Sequence, residues 1–523
     1  MAPDDLRNIP REELVDLLID MDGRFKATNQ ELARAQQQLD WLKKQLFGRK
    51  SERRIELECD PKQLALGEVL PPKSEEAVST TPVKGHARRN TARQEDDGES
   101  GLRFDPSVPV ERIVIPNPEL EGVDDKDQIL ITERITHQLA QQPASYKIIE
   151  TVRQVIKRRD NGEITCPKAS PSVLEKSYAD VSLLAGMLID KFRYHLPLYR
   201  QHQRMKAAGI TVSRASLTNW VHRASSLLAP IYLAQRDSVL ESTILAMDET
   251  PIKAGRKAKG KMRQAYFWPI YGDRNEVVFP YADSRAHSHV EKFLGNEYEG
   301  TLLTDGYGAY EAYAERREKV THAACWAHAR RGFIKAEGVE PGLSAKALDF
   351  IGSLYEIEAG IKKKGLEAEA KLAMRGEKSR PIAAELFEWL DGELRANALL
   401  PSNPFTDAAS YVLKRRAELE VFLANPEVPI DTNHLERSLR PIPLGRKNWM
   451  FCWTELGAEH VGRVQSLITT CVLQEVDPYI YLVDVLQRIA AHPQSRVAEL
   501  TPRLWKEHFA ENPLRSAIDP RPG

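Results

Sequence analysis

Apolar positions recur every seven residues near the start of the chain, at Leu18, Phe25, Leu32, Leu39 and Leu46. Met21, Thr28, Ala35 and Leu42 fall three residues after the first four. This seam, with Gln- and Lys-rich flanks, predicts a self-associating coiled coil over 18–46, imperfect at Thr28. A single amphipathic helix packed on its own domain is the alternative. The period stops at Gly48, where Arg49, Lys50, Arg53 and Arg54 form a basic patch suited to phosphate contact or to plain solvation. Residues 59–110 carry almost no large apolar side chains and read as a flexible linker. Alternation then returns in "ERIVI", "QILITERITHQL" and "SYKIIETVRQVIKRR", predicting a small β module over 111–170.

The pattern turns helical over 171–238, where two helices flank Gly209. Ser213 stands at the N-cap position of the second, with Leu217, Trp220 and Val221 on its inner face. This is the outline of a helix-turn-helix, with Arg214, Ser216, Thr218, Asn219 and Arg223 turned outward toward DNA. An ordinary helical hairpin fits the same pattern. Over 239–338 the order becomes β-β-β-α-β-α-β-α: strands at 243–248, 265–271, 276–281, 301–305 and 319–324, and helices near 286–294, 309–317 and 325–336. This order predicts a ribonuclease H-like core, in which the first and fourth strands lie side by side. Residues 339–428 read as a helical insertion, 429–455 as the remainder of the core, and 456–523 as C-terminal helices, the last opening at Asp477-Pro478. The fold class is α/β with large helical parts.

Composition adds limits. Hydrophobic residues make up 42% and charged residues 28% of 523, as in a globular protein with several domains. A net charge of −1 leaves nucleic-acid binding to local basic patches. The cysteines, Cys59, Cys166, Cys325, Cys452 and Cys471, form no CxxC pair, which argues against a disulfide framework and a four-cysteine zinc site. No signal-peptide core and no apolar run of membrane-spanning length appears, so a cytoplasmic protein without membrane contact is expected.

Asp248 and Asp305 each stand where a predicted core strand ends. "TDG" by itself reads as a turn, which explains the glycine but not the pairing of two acids at neighbouring strand ends. Phosphoryl transfer with two hard divalent ions needs carboxylates converging from separate elements. Glu436 in "NHLERSLRP" is the expected third ligand, with Glu249 beside Asp248 as a rival. Each has a plain alternative: Asp248 capping a turn before Pro251, and Glu436 closing a capping box with Asn433. Cys325 and His328 in "CWAHARR" are too few for a closed zinc site and read as packing. The basic runs at 255–263, 328–331 and 437–447 flank the acids. Arg330, Arg331, Arg437, Arg440, Arg446 and Lys447 among them could line a DNA groove, although solvated surface is the default for such runs.

The segments "LKKQLFGRKSE", "HLPLYRQ", "MDETPI", "TDGYGAY", "CWAHARRGF", "IDTNHLERSLRPIPLGRKNW" and "VDPYIYLVDVLQRI" together resemble the transposases of the insertion sequence 66 family. The resemblance implies a bacterial, nucleoid-associated DDE transposase that binds double-stranded element ends, hydrolyses a phosphodiester and joins the 3′-hydroxyl to target DNA. It implies two Mg²⁺ ions, replaceable by Mn²⁺, on Asp248, Asp305 and Glu436, pairing of protomers through residues 18–46, and small companion proteins. A catalytically silent, captured DNA-binding protein and a ribonuclease H-like nuclease without strand transfer remain as alternatives. The family's β module usually carries two CxxC pairs. This chain has only Cys166 there, so zinc is not expected and the module should fold on its apolar strands alone.

Overall fold

A computed structural model describes residues 102–518, apart from 107, 116–127, 143–144, 160–161, 170–171, 259–260, 397–398, 449–450 and 453. The heptad segment 18–46, the basic patch at Arg49, Lys50, Arg53 and Arg54, and nearly all of the linker lie outside the described residues.

Five short strands make the central sheet: β1 (Ile244–Met247), β2 (Ile270–Gly272), β3 (Glu276–Val278), β4 (Gly300–Thr304) and β5 (Val320–Ala324). Their order is β3-β2-β1-β4-β5. β2 pairs antiparallel with β1 and β3, whereas β4 runs parallel to both β1 and β5. The expected adjacency of the first and fourth core strands is present, with Thr301 opposite Ile244 and Leu303 opposite Ala246. β1, β2 and β3 are buried at every position, as strands covered on both faces must be.

Two of the expected strands are each divided. The stretch 265–271 is shared between Lys261–Phe267, in a second sheet, and β2. Pro269 interrupts it, because proline has no N–H to give to a ladder. Pro280 likewise separates β3 from Tyr281–Ala282, which returns to the second sheet. The basic run 255–263, read from sequence as solvated surface or a groove wall, belongs to a β-hairpin formed by Thr250–Ala258 and Lys261–Phe267. Its alternation of small and charged residues gave no apolar period to read.

Side chains alternate across the central sheet. Leu245, Met247, Ile270, Val278 and Leu302 pack against the connecting helices Ser288–Leu294 and Gly308–Glu315. On the opposite face, Ala246, Tyr271 and Val277 join a cluster with the long helix Glu455–Leu473. Ile244, Leu303 and Ala323 join another with the helices of residues 341–424. The sheet edge at β3 is closed by side chains: Thr470 Oγ1 accepts the Val277 N–H at 3.1 Å, and Ser466 Oγ accepts the Phe279 N–H at 2.9 Å. Gly462 permits this approach, since a Cβ there would lie 2.2 Å from the Phe279 carbonyl oxygen.

Toward the N-terminus, Gln128–Gln142 and Ser145–Arg158 form a long hairpin, with Val110–Ile115 parallel to its second strand. Cys166 is half-buried and donates its S–H to the Pro167 carbonyl at 3.7 Å. Helices Leu198–Ala207 and Arg214–Leu227 follow, joined through Gly209 at φ +79°. Ser213 caps the second helix, accepting the Ser216 N–H, and Leu217, Trp220 and Val221 are buried. Asp477 caps Pro478–Arg488 through the Tyr479 and Ile480 N–H groups. A further short helix, Pro502–His508, was not read from the sequence.

Candidate active site

β1 ends at Met247 and β4 at Thr304, so the residue that follows each strand, Asp248 and Asp305, emerges at the same rim of the sheet. Carboxylate oxygens of Asp248, Glu249 and Asp305 lie within 4.8 Å of one another. Asp248 Oδ1 accepts the Glu249 N–H at 2.7 Å, and Asp305 Oδ1 accepts the Tyr307 N–H at 2.9 Å. Both Oδ2 atoms lack a hydrogen-bond partner among the described residues. The Asp305-Gly306 turn is therefore a turn and a presented carboxylate at once. Burial, followed by repulsion from Asp305 and Glu249, pushes the Asp248 carboxyl up from 3.8 to about 7.

Glu249 has a different environment. Its side chain is only 4% exposed. Oε1 accepts from Arg285 Nε at 2.7 Å and also pairs with Arg285 Nη2, and Oε2 accepts the Tyr310 hydroxyl at 2.8 Å. Burial raises its carboxyl although Tyr310 and Arg285 oppose the shift. The Arg285 guanidinium in turn lies 4.1 Å from the centre of the Tyr307 ring. With both oxygens engaged, Glu249 braces the rim.

Glu436 arrives from a distant part of the chain, on the short helix Asn433–Leu439. Its approach is fixed at both ends. The Trp326 N–H donates to the Ile430 carbonyl at 3.1 Å, and the Thr432 N–H and hydroxyl donate to Cys325 Sγ at 3.3 and 3.2 Å. Downstream, Phe451–Cys452 pairs parallel with Lys253–Ala254. Cys325 is thus a buried packing residue that receives the Glu436 segment. Glu436 closes no capping box, since the Asn433 N–H is taken by Asp431 Oδ1 at 3.0 Å. Its carboxylate forms an ion pair with Arg331, with His328 Nε2 4.0 Å away, and its charge is among the causes that raise Asp248. Burial and Arg331 hold the His328 imidazole below its usual range. The structure therefore gathers Asp248, Glu249 and Asp305 most tightly and leaves Glu436 at the border, tied to Arg331.

The expected DNA-contacting residues scatter around this rim and beyond it. Arg330, Arg437, Arg440 and Lys447 are exposed. Arg446 donates to the Pro251 carbonyl at 2.6 Å, tying its helix to the hairpin. Arg214 and Asn219 are exposed on the helix capped by Ser213, Ser216 is half-buried there, and Arg223 donates to the Glu175 carbonyl at 3.1 Å. The sequence reading missed Arg285 and Tyr310, which brace Glu249, and Tyr411 and Arg415, which reach the Asp305 turn from the helical insertion. Tyr310 was within sight in "TDGYGAY", whereas nothing around Tyr411 distinguishes it from a surface tyrosine.

Comparison with known proteins adds an independent line. The profile described as Transposase IS66 family matches residues 176–460. The IS66 C-terminal element matches 466–503, and a region described as Transposase C of IS166 homeodomain matches 34–113. The last match overlaps both the heptad segment and the stretch read as a linker. Among curated proteins, the uncharacterized protein y4hP of Sinorhizobium fredii is 32% identical over 511 residues, covering 92% of this chain and 90% of the relative. The uncharacterized proteins y4qI and y4jD of the same organism are 30% and 28% identical over 400 and 493 residues. Those alignments cover 73% and 89% of this chain, and 72% and 93% of the relatives.

Proposed function

The chain belongs to the IS66 transposase family, and on that premise we propose that it is a DDE-type enzyme that cuts DNA at the ends of its element and joins them to a target. The observation that carries this reading is the rim itself. Two carboxylates at the ends of adjacent parallel strands each keep an oxygen without a hydrogen-bond partner among the described residues, and none of those residues pairs a cation with either carboxylate. The strand order β3-β2-β1-β4-β5, antiparallel then parallel, supports a ribonuclease H-like core.

Asp248, Asp305 and Glu436 are the residues that would hold two Mg²⁺ ions, with Mn²⁺ as a substitute. Hard oxygen donors, drawn from three separate elements and electrostatically unbalanced, fit such ions. Glu249 is the weaker third ligand because both its oxygens are already engaged. When bound, the ions make a water or 3′-hydroxyl nucleophilic and neutralise the leaving oxygen. In the first reaction water adds to the phosphorus at the element end and the bond to the 3′-oxygen breaks. In the second, that freed 3′-hydroxyl attacks a target phosphodiester and displaces the target's 3′-oxygen.

Arg331, released from Glu436, is placed to meet a phosphate. Arg330, Arg437, Arg440, Arg446 and Lys447 would follow the backbone, and the helix bearing Arg214, Ser216, Asn219 and Arg223 would read the end sequence. Protomers would pair through residues 18–46. Small companion proteins of the element would assist, and the enzyme would act on chromosomal DNA in the bacterial cytoplasm. Among the described residues, no helix is long and apolar enough to cross a membrane.

The test uses purified full-length protein, Mn²⁺ or Mg²⁺, and labelled duplex carrying the sequences that flank the gene. A nick at one discrete position with joined products, lost in Asp305→Asn, is the expected result. Binding without a cut, even with the neighbouring small proteins added, would contradict the enzyme reading. Cutting without joining would point to a nuclease.

A further inference from the structure

The helical insertion touches the centre of the site directly. Tyr411, on the helix Pro404–Lys414, donates its hydroxyl to the Asp305 carbonyl at 2.6 Å. Arg415, next after that helix, donates from Nη2 to the Gly306 carbonyl at 2.9 Å. Its guanidinium stacks over the Tyr411 ring at 4.4 Å, and Glu311 lies 4.0 Å from Nη2. The two side chains therefore hold each other as well as the turn.

Gly306 shows how closely they fit. Its φ is +86°, in the region that favours glycine. A Cβ there would stand 2.5 Å from Arg415 Nε and 2.9 Å from the Tyr411 hydroxyl. The two carbonyls at this strand end, which would otherwise face water, are both taken by one distant element. Among the described residues the Asp305 carboxylate is meanwhile fixed by a single hydrogen bond, from the Tyr307 N–H. Its direction is thus set by the backbone of the turn, and the insertion sets that backbone.

We infer that Tyr411 and Arg415 are positioning residues that aim the Asp305 carboxylate from the insertion, so that metal affinity at the catalytic rim depends on the insertion being docked. This rests on the metal-site reading given above. The docking itself does not depend on these two residues. Trp326 Nε1–H donates to the Leu419 carbonyl at 2.9 Å, and Leu303 and Ala323 share an apolar cluster with Phe405, Phe422 and Leu423. Removing one polar group at the turn should leave that cluster intact, so the variants should fold.

The decisive readout is Mn²⁺ binding to the full chain without DNA, followed by the electron paramagnetic resonance signal of free Mn²⁺, with thermal melting in parallel. Tyr411→Phe and Arg415→Met should each weaken Mn²⁺ binding about tenfold, the usual effect of losing a group that orients a ligand. Arg415→Lys, which keeps a donor, should recover part of the loss. Melting should change little, and cleavage by Tyr411→Phe should return at raised Mn²⁺. Binding abolished by Asp305→Asn but unchanged in Tyr411→Phe and Arg415→Met would overturn the inference and leave the metal site standing. Wild-type protein that binds no Mn²⁺, or binds it equally in Asp305→Asn, would overturn the metal site and the inference with it.

Discussion

Two ionic centres, one buried within the insertion and one half-buried at the sheet rim, are built on opposite principles. Within the insertion, Arg375 is fully buried. Its Nε and Nη2 donate to Glu358 at 2.8 and 2.7 Å, and its Nη1 donates to the Phe422 and Asn425 carbonyls at 2.7 and 3.1 Å. One positive and one negative charge cancel, with further donors satisfied by backbone. At the sheet rim, Glu249 pairs with Arg285, and Glu436 pairs with Arg331 and has His328 at 4.0 Å; among the described residues no ion pair reaches Asp248 or Asp305, and the Asp248 carboxyl is driven up to about 7. A balanced buried pair is a structural element. A like-charged cluster left short of cations destabilises the chain by itself and is consistent with a site that awaits them.

That contrast can be broken at several points. The largest expected effect is on chemistry: Asp305→Asn should cut strand cleavage about a thousandfold or more, since several kcal/mol of metal-borne stabilisation disappear, while DNA binding in a gel-shift assay persists. The balanced centre should behave inversely. Arg375→Ala leaves the half-buried Glu358 and the Phe422 and Asn425 carbonyls without their donor and should cost about 3 kcal/mol of stability, visible as a lower denaturant midpoint, and it affects cleavage only by unfolding.

A smaller effect comes from pH. The folded Asp248 carboxyl titrates near 7 and the unfolded one near 3.8, so its contribution is complete at low pH and is lost as pH rises through 7. Stability in chelator should therefore fall by a few kcal/mol between about pH 4 and 8 on account of this group. Asp248→Asn should flatten that slope, and Mn²⁺ should offset it. A pH profile identical in wild type and Asp248→Asn would remove the charge imbalance from the account. The smallest change sharpens the choice of third ligand. Glu249→Gln disturbs the bonds to Arg285 and Tyr310 and should cost about 1–3 kcal/mol of stability, with Mn²⁺ binding retained. Glu436→Gln should do the reverse.

The two centres were not equally legible. Asp248 and Asp305 could be paired from sequence because the order of strands and helices is a local property of the pattern, and it matched that of a ribonuclease H-like core, in which the first and fourth strands are neighbours, as they are here. Glu436 stood out by its motif, but its ion pair with Arg331 joins segments 105 residues apart, a separation that no periodicity encodes. The division of two strands at Pro269 and Pro280 was readable in principle, because a proline inside a ladder argues against continuity. The hairpin at 250–267 was hidden by its polar alternation. Tyr411 and Arg415 left no mark at all: their roles come from main-chain carbonyls of Asp305 and Gly306, acceptors that every residue carries.

The central claim is that the rim of Asp248, Asp305 and Glu436 holds divalent metal while Glu249 braces it. The most direct measurement is anomalous diffraction from crystals soaked in Mn²⁺. The account predicts density between Asp248 and Asp305, reached by Glu436 after it leaves Arg331, with Glu249 still bound to Arg285 and Tyr310. Absence of density at the rim, or density ligated by Glu249 with Glu436 still paired to Arg331, would contradict it.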